Sequence, residues 1–217
     1  MRDTGDYQPG LAAVILAAGF SSRMGRLKAA LPIPSANGET TALARCISLF
    51  TVCGVEEIIV VTGHQAAAVA AIAQGKATVV HNAEYALGMY GSIQVGLRQA
   101  RHRLGQRLRG CFLLPVDMPF IQAATARLLA RELQNGVTLA LPFFAGITGH
   151  PPLLAASLVD AILTQAEPPS GLQSLFTALQ TEHPEQTRRV AVDDAAIHVD
   201  MDSPEDYRRA LALFATN

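Results

Sequence analysis

The sequence predicts an α/β domain in three layers, a doubly wound, mainly parallel sheet with helices on both faces. Two observations carry this. Several short segments are continuous apolar, β-branched runs rather than alternating ones, as strands buried on both faces are. Between them lie segments whose apolar residues recur at helical spacing, so strand and helix alternate along the chain.

The first run, residues 11–16, ends in Ala-Ala-Gly and reads as a buried strand feeding a loop. Helical spacing over 41–50 precedes a strand at 57–62, where Ile-Ile-Val-Val is closed off by Gly63. An alanine-rich helix over 65–73, a strand at 77–81 and a helix over 91–104 come next, then the apolar strand 111–115. Residues 122–133 read as helix and 137–141 as strand, with further helices at 155–164 and 172–179. Two short strands, 188–192 and 197–200, lead to a last helix over 203–214. Its start carries Ser203, Pro204 and Asp206, which form a cap, a proline at the first position and an acid at the third. Residues 1–10 are expected to be a flexible tip and 11–217 a single domain.

With 217 residues, half of them hydrophobic, the chain is large enough for a sizeable core. Seventeen basic and eighteen acidic residues give a net charge of -1, which offers no global attraction for nucleic acid or an anionic membrane. Cys46, Cys53 and Cys111 form no Cys-x-x-Cys pair and are odd in number, so buried reduced thiols are expected rather than disulfides or a zinc site. Residues 1–10 are polar, with two acids and no apolar core, and resemble neither a signal peptide nor a transit peptide, while the longest uncharged segment, 133–159, is broken by prolines and glycines. A cytoplasmic protein is expected. The cations Arg98, Arg101, His102, Arg103, Arg107 and Arg109 lack interleaved aromatics and read as a solvated face.

Residues 16–28, Leu-Ala-Ala-Gly-Phe-Ser-Ser-Arg-Met-Gly-Arg-Leu-Lys, place glycines, serines and cations behind the first strand. Glycines let backbone N–H groups turn toward phosphate oxygens, and Arg23 and Lys28 supply neutralising charge. The segment is neither a Walker A loop nor a Gly-x-Gly-x-x-Gly fingerprint. Taken alone, it suits a phosphate cradle and an ordinary strand-to-helix turn equally.

The long contiguous pattern Leu-Ala-Ala-Gly-x-Ser-x-Arg-Met-Gly-x-x-Lys, followed by Leu31-Pro32, resembles the signature loop of nucleotidyltransferases related to molybdenum cofactor cytidylyltransferase. The resemblance covers nearly the whole chain and implies a Rossmann-like nucleotidyltransferase fold. It also implies that Arg23 and Lys28 contact phosphates while Leu16, Ala17, Ala18 and Gly19 approach the base and ribose. The related guanylyltransferases have Gly-Gly where this chain has Ala18-Gly19, so the methyl at Ala18 leans toward CTP.

Asp117 follows the strand at 111–115, on the edge where doubly wound folds bind ligands, and its residue type suits a magnesium ligand. A turn or cap aspartate before Pro119 is the plainer explanation by pattern alone. The resemblance favours the metal, because the family has a metal-binding Asp-x-Pro here. Asp200 and Asp202 lie two residues apart, facing the same way on an extended segment. The family's Asp-x-Asp-x-Pro-Glu-Asp supplies a second magnesium ligand, for which Asp202 is the first choice and Asp200 the second. Asp193 and Asp194 read as a solvated turn between two short strands.

Residues 82–97 resemble the family's Asn-x-x-Tyr-x-x-Gly-Met-x-x-Ser-Ile segment, which places Asn82, Gly88 and Ser92 by the nucleotide. Gly149-His150-Pro151 resembles its Gly-His-Pro, near the acceptor, although Ile147-Thr148 stands where the family often has a basic residue. The implied reaction is Mg2+-dependent transfer of CMP from CTP to the phosphate of molybdopterin, with release of pyrophosphate. Lys28, Arg23 and Asp117 would be its catalytic residues, and a molybdoenzyme or its maturation chaperone a further partner. Another nucleoside triphosphate, another phosphorylated acceptor such as a sugar phosphate or methylerythritol phosphate, or a non-catalytic nucleotide-binding module are the alternatives.

Overall fold

The structure, a computed structural model, describes residues 8–35 and 38–214. In chain order it runs β1 (Gln8–Ala17), the hairpin β2 (Pro32–Ser35) and β3 (Gly38–Thr41), α1 (Ala42–Val52), β4 (Val55–Thr62), α2 (Ala66–Ala73), β5 (Thr78–His81) and α3 (Met89–Leu104). It continues with β6 (Gly110–Pro115), α4 (Ala123–Glu132), β7 (Leu139–Phe144), β8 (Ile147–Thr148), β9 (Leu153–Ala155), α5 (Ala156–Thr164), α6 (Leu172–Glu182), β10 (Thr187–Ala191) and α7 (Pro204–Phe214).

The main sheet has the order β10-β7-β9-β6-β1-β4-β5, with β8 paired to β7. Pairing is parallel between β5, β4, β1 and β6 and between β7 and β10; β9 and β8 run antiparallel to their neighbours. From β1 the chain builds β4 and β5 to one side, then returns to place β6 on the other. The carboxyl ends of β1 and β6 therefore flank a topological switch point, the usual ligand crevice of such sheets.

Side chains of β1 alternate between two cores. Leu11, Ala13, Ile15 and Ala17 face one, shared with α1, α2, α4 and α7, while Ala12 and Val14 face the other, shared with α3, α5 and α6. This double burial is why the strand reads as an unbroken apolar run. Helix α1 shows the logic of its layer. Thr41 Oγ1 accepts the Ala44 N–H at 3.2 Å to cap it, and Leu43, Cys46, Ile47 and Phe50 recur at helical spacing on its buried face. Phe50 meets Phe112 of β6 with ring centroids 5.3 Å apart. Each such buried ring contributes about 1.5–3 kcal/mol relative to exposure. On the opposite face α3 lies so close to β1 that a Cβ at Gly96 would come within 2.4 Å of the Val14 side chain.

The three cysteines are buried and none is in a disulfide, as expected. The basic run at the end of α3 is a surface network, with Arg101 pairing Asp160, Arg103 pairing Glu57 and Arg107 pairing Glu56.

Other expectations are corrected. Residues 1–7 of the expected tip lie outside the described residues, but Gln8 to Gly10 belong to β1, where the Gly10 N–H donates to Glu56 Oε2 at 2.8 Å and Gly10 O accepts from Arg109 N at 2.7 Å. The expected strand at 197–200 is absent; Ala195–His198 form a 3-10 turn instead. Its N-cap is Asp194, not a solvated turn residue but one only 2 % exposed. The Asp194 carboxylate accepts from Ala196 N (3.2 Å), Gln122 N (2.9 Å) and Thr125 Oγ1 (2.7 Å), closing the 3-10 turn and the start of α4 together. The β2–β3 hairpin and strands β8 and β9 were not expected. β9 spans three residues, too few for periodicity to register.

Candidate active site

Strand β1 delivers its last residues, Leu16 and Ala17, to the rim of a cleft of about 390 Å³. The following loop is pinned rather than loose. Met24 is buried, the Gly25 N–H donates to Ser21 O at 3.0 Å, and Ser21 Oγ accepts the Lys28 N–H at 3.2 Å. Ser21 (φ 56°) and Gly25 (φ 68°) both take left-handed backbone, which folds the loop back so that Lys28, at the start of a 3-10 turn, faces the cleft. Ser21 holds this geometry, and sequence reasoning assigned it no part. Its oxygen-bearing side chain seven residues before Lys28 was the available signal.

Strand β6 brings Asp117 to the same place. The Val116 N–H donates to Leu16 O at 3.1 Å, keeping the two strand ends together. Asp117 O then accepts from Met201 N at 3.0 Å, and the side chain of Met201 is fully buried. That backbone bond positions Asp202 beside Asp117. Immediately after it, Ser203 and Asp206 form the expected reciprocal cap of α7: Ser203 Oγ accepts the Asp206 N–H at 3.2 Å, and Asp206 Oδ2 accepts the Ser203 N–H at 3.1 Å.

The charges meet at one point. Lys28 Nζ donates to Asp117 Oδ2 at 2.7 Å and also to Asp202 Oδ1, while Arg23 pairs with Asp202 Oδ2 at 2.5 Å. The Lys28, Asp117 and Asp202 side chains are 15 %, 16 % and 24 % exposed, whereas that of Arg23 is 77 % exposed. Burial works to lower the Lys28 pKa, but the hydrogen bonds and charges of Asp117 and Asp202 outweigh it and raise the value above normal. Asp200 is exposed at the edge of this cluster. Loss of hydration on its inner side, then the charges of Asp202 and Asp117, raise its pKa.

Two hard carboxylates converging on one cationic centre fit a divalent ion such as magnesium. Among the described residues no group of three or more His, Cys, Asp or Glu is arranged to hold a metal. Waters and ligand oxygens would therefore complete the coordination.

The rest of the cleft is lined by Leu16, Ala17, Ala18, Gly19, Gly88 and Ser92, all expected there, and by Phe20, Tyr85 and Met89, which were not singled out. Phe20, His64 and Tyr85 cluster with ring centroids 5.2 to 6.3 Å apart. Gly63 makes the packing possible, since a Cβ there would lie 2.5 Å from the Tyr85 side chain and 2.7 Å from Ala18 O. Asn82 does not line the cleft and acts one layer back. The Glu84 N–H, which can only donate, fixes Asn82 Oδ1 at 3.0 Å, so Nδ2 faces Ser92 Oγ at 2.9 Å and makes that oxygen the acceptor. The Ser92 proton is thereby left for another partner.

His150 lies outside the cleft lining. Its backbone N–H donates to Ile197 O at 3.0 Å, and its Nδ1 is buried with no hydrogen-bond partner. Burial pushes its pKa down, against the pull of the nearby Asp117 charge.

A cation-bearing loop after the first strand of a doubly wound sheet, opposed by carboxylates at the switch point, suits a polyphosphate held with a divalent ion, the kind of site a nucleotidyltransferase needs. Comparison with known proteins agrees. The family described as the MobA-like NTP transferase domain matches residues 13–186, and the chain belongs to that family. It is 28 % identical over 198 residues to the molybdenum cofactor cytidylyltransferase of Escherichia coli (strain K12), covering 89 % of this chain and 92 % of that one. Among solved structures it is similar to a nucleotidyl transferase from Methanothermobacter, at TM-score 0.77 and 25 % identity, covering 95 % and 99 % of the two chains. It is also similar to a Mycobacterium tuberculosis protein in complex with manganese, at TM-score 0.68 and 26 % identity, covering 94 % and 98 %. The protein is an enzyme, which removes the non-catalytic module. No helix of the described residues is long and apolar enough to cross a membrane.

Proposed function

We propose that this enzyme transfers CMP from CTP to the phosphate of molybdopterin or its molybdenum form, with Mg2+ held by Asp117 and Asp202 and with release of pyrophosphate. The observation that carries the reading is the meeting of Lys28, Asp117 and Asp202 at one end of a cleft whose other walls are the signature loop and the start of α3. The cytidylyltransferase similarity supports the nucleotide and the acceptor, and the manganese complex of a relative supports a divalent ion.

The chemistry asks little of the protein in proton transfer. The second pKa of a phosphate monoester is about 6, so the acceptor is already largely dianionic at pH 7 and needs no general base. The obstacle is bringing two anions together. A bound magnesium ion supplies charge neutralisation on phosphate oxygens. Lys28 and Arg23 bind and orient the triphosphate and stabilise negative charge that develops on the leaving pyrophosphate. Ala18, lining the cleft where guanylyltransferases have glycine, narrows the base site toward a pyrimidine. Ser92, its oxygen occupied by Asn82, offers a proton to a base acceptor atom. Gly149-His150 is assigned to the acceptor by its resemblance to the family motif alone, since His150 lies outside the cleft lining, and the product would pass to a molybdoenzyme or its maturation chaperone.

One departure favours testing other acceptors. Ile147, where a basic residue is common, is exposed and gives no charge to an anionic acceptor. The purified protein is incubated with Mg2+, each nucleoside triphosphate in turn and one acceptor at a time, namely molybdopterin, its molybdenum form, a sugar phosphate or methylerythritol phosphate, and pyrophosphate is measured. Release with CTP and the pterin is expected. Release only with a sugar phosphate or methylerythritol phosphate would replace the acceptor, and release only with another triphosphate would replace CTP.

A further inference from the structure

Two carboxylates assigned to the reaction are joined through a third group assigned to it, the Lys28 ammonium. Lys28 Nζ sits between Asp117 Oδ2, at 2.7 Å, and Asp202 Oδ1, the position from which a cation would reach both carboxylates. A magnesium ion binds its oxygen ligands at about 2.0–2.1 Å and cannot share that seat with an ammonium group. We propose that Lys28 is the resting counter-ion of the carboxylate pair and that a divalent cation displaces it only together with a nucleoside triphosphate, so that metal and nucleotide enter as a unit. This rests on the assignment of Asp117 and Asp202 as metal ligands.

The geometry around Lys28 suits such an exchange. Its backbone is fixed by Ser21 Oγ, while four flexible carbons separate that anchor from the ammonium. Arg23, on the other oxygen of Asp202, is largely in solvent and withdraws at little cost. Both cations line the cleft, so a triphosphate entering there gives each a new anionic partner while the incoming metal takes over the carboxylates. Metal alone offers Lys28 no such partner. It would leave an ammonium and a dication side by side in a mostly buried setting, where like charges repel far more strongly than in water.

The sequence provides a direct probe, because Lys28 and Lys76 are the only two lysines, and Lys76 is exposed in the turn that follows α2. Protein labelled with 13C and 15N at lysine should give two side-chain signals, with Lys76 as internal reference. The Lys28 signal is expected to stay put on titration with millimolar Mg2+ alone and to shift when α,β-methylene-CTP is added with Mg2+. A shift with Mg2+ alone would overturn the inference. If neither addition moves Lys28 although the nucleotide binds by calorimetry, the site assignment itself fails, and the inference with it.

Variants give an independent measurement. Nucleotide-free Lys28→Met, checked for a native melting transition, is expected to bind Mn2+ at least tenfold more tightly than the parent by electron paramagnetic resonance. Lys28→Arg, which keeps the charge, should bind it as weakly as the parent. The Lys28→Met gain should vanish with Asp202→Asn added. Equal Mn2+ affinity in the parent and Lys28→Met would overturn the inference while leaving the carboxylate assignment intact, provided Asp117→Asn still weakens Mn2+ binding in the presence of α,β-methylene-CTP.

Discussion

Lys28 Nζ and Asp117 Oδ2 lie 2.7 Å apart although 89 residues separate them in sequence. The contact exists because the β1 loop folds back and β6 ends beside β1, so both residues report on the same crevice. Lys28→Ala and Asp117→Ala are each expected to lower turnover by at least about 10²–10³-fold, the usual loss when one preorganised charge-stabilising group is removed. Circular dichroism and thermal melting should show a retained fold. Near-normal pyrophosphate release from either variant would refute the catalytic assignment.

The Asn82–Ser92 bond yields a second prediction. With Asn82 Nδ2 donating, Ser92 can give its own proton to a nucleotide; with Asn82→Asp, the carboxylate takes that proton instead. Asn82→Asp and Ser92→Ala should therefore raise KM for CTP with a smaller effect on kcat. The double variant should be no worse than Asn82→Asp alone, because the two residues act through one hydroxyl. If the effects simply add, the new charge rather than the lost donor is responsible.

Gly63 supports the cleft from behind. Alanine there would place a methyl 2.5 Å from the Tyr85 side chain and 2.7 Å from Ala18 O, and Ala18 O already accepts from His64 N at 3.0 Å. Overpacking of this kind costs about 1–3 kcal/mol. Gly63→Ala should lower the urea midpoint accordingly and weaken CTP binding, since relief requires moving Tyr85 or the signature loop. Unchanged CTP affinity would show that Ala18 and Tyr85 adjust without disturbing the site.

What the sequence revealed follows the range of each interaction. The α7 cap was legible because Ser203 and Asp206 are three residues apart, and the strands of the parallel core were legible because two-sided burial makes them uniformly apolar. Lys28, Asp117 and Asp202 were recognisable one by one through their motifs, yet their mutual bonding was not, because it spans 89 and 174 residues. Asp194 was misread for the same reason. Its partners Gln122 and Thr125 lie 72 and 69 residues away, and a local reading of Asp193-Asp194 sees only two acids in a polar turn.

Asp194 is accordingly expected to matter for stability and not for chemistry. Asp194→Ala removes an acceptor for three donors and leaves the buried Thr125 hydroxyl and the Gln122 N–H unsatisfied. Hydrogen bonds to a charged acceptor are worth about 1.5–3 kcal/mol each and are not additive, so a loss of about 3 kcal/mol is expected in denaturant unfolding. The kcat of the folded fraction should be unchanged, because Asp194 does not line the cleft. A stable variant with impaired turnover would instead place Asp194 in the catalytic machinery.

His150 supplies a prediction in pH. Burial lowers its pKa below the ordinary 6.5, outweighing the opposing charge of Asp117, so the folded protein binds this proton less readily than the unfolded chain. Between the depressed folded value and 6.5 the unfolded state therefore carries more protons at this position, and stability rises with pH across that window. As pH falls from 7 toward 5, the parent should lose melting temperature relative to His150→Gln, which cannot titrate, and the two curves should run parallel above pH 7.5. The buried Nδ1 without a partner gives the same sign, since protonation would add a second N–H donor to an imidazole that already leaves one nitrogen unsatisfied. Parallel curves over the whole range would mean that the folded protein binds this proton as readily as the unfolded chain, so that burial does not set the protonation of His150.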